Sequence, residues 1–132
     1  LPTQFSGSLN EGLHAADGFC VLPLHATNPP PGSRLLADLA DLAADTPNGV
    51  RRWPLVRSAG DLAAAAVAQA EAAVWPADNA TAAEQACAAL AAGVPLPLVL
   101  LPSDAALAAR YAERWLAAGA QAVVRSGEDN FR

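Results

Sequence analysis

From Phe19 to Val124 the sequence alternates two hydrophobic periods, and this alternation constrains the fold more than any other feature of the chain. Short apolar runs suited to buried strands occur at Phe19-Cys-Val-Leu-Pro-Leu24, Val50 to Val56, Ala72 to Trp75, Leu96 to Leu101 and Ala122-Val-Val124. Between them lie stretches with helical spacing. The first is predicted to open at Ser33, with Leu35, Leu36, Leu39 and Leu42 on one face and Asp38, Asp41 and Asp45 on the other, and to stop at Pro47-Asn-Gly49. Ser58-Ala-Gly-Asp61 and Thr81-Ala-Ala-Glu84 have the spacing of capping boxes, opening Ala-rich helices that run to Gln69 and to about Ala92, before Gly93. Ser103 is expected to cap the last helix, which carries Leu107, Tyr111, Trp115 and Leu116 and ends at Ala118-Gly119. Parallel strands need crossover connections, and the crossovers cover the sheet. The expectation is therefore an α/β domain: a doubly wound, parallel, five-stranded sheet between two layers of helices.

At 132 residues the chain has the length of one domain. The expected division is an N-terminal lead over 1–18, in which Ser8-Leu-Asn-Glu11 reads as the start of a short helix, and a single α/β domain over 19–132. Thirty-four residues are Ala and 18 are Leu, and small side chains let helices approach a sheet closely. No Lys occurs, all eight cations are Arg, and the net charge is −5, which argues against gripping nucleic acid by its phosphates. The basic amphipathic face of a membrane-surface helix is also missing, as is any apolar run long enough to span a bilayer. A cytoplasmic location is expected, and a chain opening on Leu1 reads as a piece of a longer product. Cys20 and Cys87 match no ligand spacing, so both are expected to be buried small apolar side chains and no metal is expected.

The last third of the chain resembles a receiver domain of the response-regulator type. Val94-Pro-Leu-Pro-Leu-Val-Leu-Leu101, a helix, and then Ala117-Ala-Gly-Ala-Gln-Ala-Val-Val124 are similar to the receiver's Pro-led fourth strand and its Gly-Ala-containing approach to the fifth; Val50 to Trp75 is similar to its second strand, second helix and third strand. The resemblance implies flavodoxin-like strand order. It also implies chemistry that this sequence lacks. A receiver holds Mg²⁺ on an acidic pair and a phosphorylated Asp, with a hydroxyl and a Lys at later strand ends. Here Leu24, His25 and Ala26 stand at the acidic pair, Pro76 and Ala77 at the Asp with Asp78 just after, Ser103 beyond the fourth strand, and Arg125 in place of the Lys. The chain is thus identified with degenerate pseudo-receivers. That implies a regulatory module working by protein–protein contact, without phosphorylation, catalysis or cofactor, its partner being another protein, a neighbouring domain or a second copy.

In open parallel sheets ligands gather beyond the carboxyl ends of the strands. The pocket candidates are accordingly His25, Asp78, Ser103 and Arg125, and the alternative function is a small enzyme or ligand-binding domain built on them. Each also has a plainer reading. Ser58, Ser103 and Asp78 or Asn79 suit helix caps, His25 suits the surface, and Arg125 suits a permanent ion pair with Asp78. Tyr111 and Trp115 are the candidate partner contacts if exposed, and core residues if not. Arg51-Arg52-Trp53 combines cations with an aromatic ring, as single-stranded nucleic-acid sites do, yet a solvated strand end with a core Trp explains it equally.

Overall fold

A computed structural model describes residues 5–8, 12–15, 20–23, 30–40, 50–103 and 105–125. Its elements are β1 (Phe5–Ser8), β2 (Gly12–Ala15), β3 (Cys20–Leu22), β4 (Arg34–Asp38), β5 (Arg51–Leu55), α1 (Ala59–Val67), β6 (Ala73–Ala77), α2 (Ala80–Ala92), β7 (Leu98–Pro102), α3 (Ala105–Ala118) and β8 (Ala122–Arg125). The expected α/β character and mostly parallel pairing are both present. Strands β3 to β8 pair in parallel, β8 pairs in parallel with β1, and only β2 runs against its neighbours. The strands follow one another in chain order and close on themselves as a barrel, sealed by Phe5↔Val124 and Ser6↔Arg125.

Closure overturns the finer expectation of an open, doubly wound five-stranded sheet. Three strands, β1, β2 and β4, add to the five foreseen. Flavodoxin-like order would place the Cys20–Leu22 strand between β5 and β6, but these two pair directly through Leu55↔Val74. The three described helices, moreover, share one face. Leu62 and Ala65 of α1, Ala83 and Ala86 of α2, and Tyr111 and Trp115 of α3 pack in a single cluster with the outward residues Ala73, Trp75, Leu98 and Leu100. The inward set, including Leu13, Val21, Leu36, Trp53, Val74, Val99 and Val124, comes from strands and forms a second cluster without any helix. An eight-stranded barrel has an interior about wide enough for side chains to fill.

Two elements foreseen as helices are strands. The segment after Ser33 is extended and pairs residue by residue with β5, from Arg34↔Arg51 to Asp38↔Leu55. Its Leu35-Leu36 doublet fits a helical stripe and a strand equally, and tertiary pairing decides. The lead is a hairpin, β1 against β2, and Ser8 ends a strand instead of capping a helix. Elsewhere the local signals hold. Ser58 caps α1 by accepting the Asp61 N–H at 3.1 Å, and Gly93, at φ +98°, ends α2. Thr81, however, lies inside α2, whose cap is Asn79, its Oδ1 accepting the Ala82 N–H at 2.9 Å. Cys20 is exposed and Cys87 half-buried, because strand alternation gives the inward place to Val21 and not to Cys20. No described helix is long and apolar enough to cross a membrane.

Candidate functional site

The parallel strands deliver three of the foreseen pocket residues, Asp78, Ser103 and Arg125, towards one rim of the barrel. There Ser103 follows β7, and its main-chain N–H donates to the Ala77 carbonyl at 2.9 Å while its Oγ donates to the Asp78 carbonyl at 3.2 Å. Asp78 and Ser103 are thus brought together, through the main chain of Asp78, whose own side chain lies at the exposed surface. Arg125 is the last residue of β8, beside Ser6 of β1; its side chain, and all of His25, lie outside the described residues, as does the Arg125–Asp78 ion pair. Ser58 and Asn79 are caps, as their plainer reading had it. Below the rim the barrel interior is apolar, and no polar or charged residue is buried among the described residues. The rim therefore fixes loops and helix starts, with its Ser103 hydroxyl proton already donated to a carbonyl.

A denser polar arrangement lies on the outer face, between α2 and α3. Glu84, on α2, accepts the Tyr111 hydroxyl at 2.9 Å on Oε2 and takes both arms of Arg114, at 3.1 and 3.2 Å. The Arg114 hydrogen bond, followed by that of Tyr111, holds the Glu84 carboxyl below its usual range; Glu84 in turn raises the Tyr111 phenol. The Tyr111 ring stacks on Trp115 with centroids 5.6 Å apart, and the Trp115 indole N–H donates to the Ala83 carbonyl at 3.2 Å. Tyr111 is 1% exposed and Trp115 fully buried. This corrects their reading as partner contacts: helix α3 turns them towards the sheet, because the outward faces of Trp75, Leu98 and Leu100 need covering. The charged side chains that α3 shows to solvent are Arg110, Glu113 and Arg114. The guanidiniums of Arg110 and Arg114 lie 5.5 and 5.2 Å from the centre of the Tyr111 ring. Beside them runs a groove of ≈ 550 Å³ lined by Thr81, Glu84, Gln85, Ala88, Arg110 and Tyr111, among others.

A third cluster ties the opposite ends of the strands. Glu71, just before β6, accepts from Arg34 Nε and Nη2 at 2.9 and 3.3 Å, from Arg51 at 2.9 Å and from the Trp53 indole at 3.0 Å. The Arg34 hydrogen bond leads in lowering the Glu71 carboxyl, against its partial burial. Trp53 lies in the barrel's inner cluster and Arg51 pairs with Glu71, so these two members of the Arg51-Arg52-Trp53 run serve the fold. Neither Glu71 nor the Glu84–Arg114 pair was foreseen. Arg110, Tyr111, Arg114 and Trp115 do recur at helical spacing, and that stripe was the one available signal; nothing local couples it to a residue 30 positions earlier. Comparison with known protein families, curated proteins and solved structures finds no match in any of the three.

Proposed function

We propose that this chain is a non-enzymatic regulatory module, acting in the cytoplasm through protein–protein contact at the α2–α3 face and without phosphorylation. One observation carries the reading. Among the described residues, the side chains of Thr81, Gln85 and Arg110 line the groove without a hydrogen bond, while the polar groups of Ser58, Asn79 and Ser103 at the strand ends are held in caps and main-chain bonds. Side chains that keep free donors on a shallow, open surface suit contact with another protein. The likeness to a degenerate receiver adds support through one unit, β7–α3–β8, which spans both of the motifs quoted for its last third. The alternative, an enzyme at the strand ends, has the approach of Ser103 to Asp78 in its favour. The apolar barrel interior beneath them weighs against it.

Two arms test this. A photo-crosslinking residue at Ala109, exposed on α3, is expected to give a discrete protein adduct that Arg110→Ala removes, whereas the same residue at Val67, exposed on α1, gives none. Equal adducts from both positions, or none from Ala109, would overturn the contact face. Beryllofluoride with Mg²⁺ is expected to leave the Asp78 and Ser103 amide resonances unmoved; saturable shifts there would overturn the absence of phosphorylation.

A further inference from the structure

We infer that the β5–β6 seam is a parting line of the barrel, and that α1, which crosses it, lifts together with the two strand edges as one unit while the rest of the sheet stays closed. The seam has the composition of an edge. Within sheets Pro is confined to edge strands and bulges, because it cannot donate to the ladder. Pro54 and Pro76 nonetheless stand in interior strands, at positions where an N–H would face this seam. What is left is one residue pair, Leu55↔Val74, with the Val56 N–H donating to the Val74 carbonyl at 2.9 Å. The seams on either side, β4–β5 and β6–β7, have five residue pairs each.

The helix over the seam is held as lightly as the seam itself. It joins the end of β5 to the start of β6, is nine residues long, and buries only Leu62 and Ala65, while Val67 near its end is 85% exposed. Helices α2 and α3 pack on each other and on the strands beneath them, whereas α1 engages no neighbouring element as closely. Its exit is strained. Gln69 lies at φ +60°, in the left-handed region that favours Gly, and is the one non-Gly residue there among those described. The lower end of the seam is secured by Glu71, which precedes β6 and accepts from Arg51 and Trp53 of β5. Above that clasp, parting breaks a single main-chain pair and frees a short helix. The prolines then serve the open form as well, because edges short of donors are poor templates for another chain.

The test is thiol labelling of the folded chain, with Cys20 and Cys87 replaced by Ser and a single cysteine placed beneath α1, Ala65→Cys, or inside β7, Val99→Cys. Both positions are buried, so a reagent reaches either one only when the fold opens around it; Leu62→Cys gives a second reading from beneath α1. Labelling at position 65 is expected to be at least about tenfold faster than at 99. Pro54→Val with Pro76→Val returns two donors to the seam and is expected to slow labelling at 65 roughly tenfold, each replacement alone giving about threefold, so that the test survives the loss of the double variant. The Val74 amide should show the same slowing in hydrogen exchange. Equal rates at 65 and 99, a rate at 65 indifferent to the proline replacements, or slowing at 65 without slowing at the Val74 amide would each overturn the inference.

Discussion

Glu71 concentrates more of the fold's polar chemistry than any other described side chain, since one carboxylate receives donors from Arg34 on β4 and from Arg51 and Trp53 on β5. Glu71→Gln keeps the shape and removes the charge, and is expected to cost about 1–3 kcal/mol in denaturant unfolding at neutral pH. The pH dependence has a definite sign. The folded carboxyl is lowered, so its stabilisation is present above the ordinary unfolded carboxyl value and is lost as the pH falls through the folded one. The gap between wild type and Glu71→Gln should therefore narrow on acidification from about pH 5 towards pH 2; a gap that stays constant would deny the carboxylate this role. Gly12 constrains the other end of the chain. At φ +84° a side chain there is strained, and a Cβ would run into the Val21 carbonyl oxygen where β2 meets β3. Gly12→Ala is expected to lower stability by roughly 1–3 kcal/mol, checked by thermal unfolding; an unchanged midpoint would contradict the close approach.

Prolines shape the elements in a way the apolar runs conceal. The seam between β5 and β6 has a single residue pair, Leu55↔Val74, whereas β4 and β5 share five. Val56 N–H donates to the Val74 carbonyl at 2.9 Å, and the strand period of two puts the next donors of this seam at 54 and 76. Both positions are Pro, with no N–H to give. Side chains make good the loss: Glu71 staples the lower end of the same seam to Trp53 and Arg51. Amide hydrogen exchange should find Val56 and Val74 the fastest of the barrel's interior strand amides, and faster again in Glu71→Gln. Protection equal to that of Val99 in both proteins would contradict a weak, stapled seam. Helix α3 depends on one large contact instead. Trp115→Ala should cost about 3–5 kcal/mol through the cavity left between α2, α3 and the sheet, while Trp115→Phe retains most of the packing; a loss under 1 kcal/mol for the Ala variant would mean that Trp115 is not core.

For the whole molecule, what was legible from sequence is what is local. The run β5–α1–β6–α2–β7–α3–β8 could be read because Ser58, Gly93 and Gly119 mark helix ends and because each strand is a short apolar run. The Leu35-Leu36 doublet satisfied two periods, and Phe5-Ser-Gly-Ser8 lacks any apolar alternation, so β4 and β1 could not. Closure was out of reach on physical grounds, since it depends on Phe5 meeting Val124, a pairing set by the tilt and stagger of all eight strands. The site divides in the same way. Caps at the strand ends were readable, whereas Glu84–Arg114 and the Glu71 clasp join elements far apart in sequence. Closure also bears on the two proposed readings, because the described interior side chains are apolar and the contact proposed above would fall on the outer helical face. The most direct test is a pair of cysteines, Ser6→Cys with Arg125→Cys, in a chain whose Cys20 and Cys87 are replaced by Ser. The closed barrel predicts rapid formation of an intramolecular disulfide between these paired positions under mild oxidation; free thiols or only intermolecular links in the folded protein would contradict it.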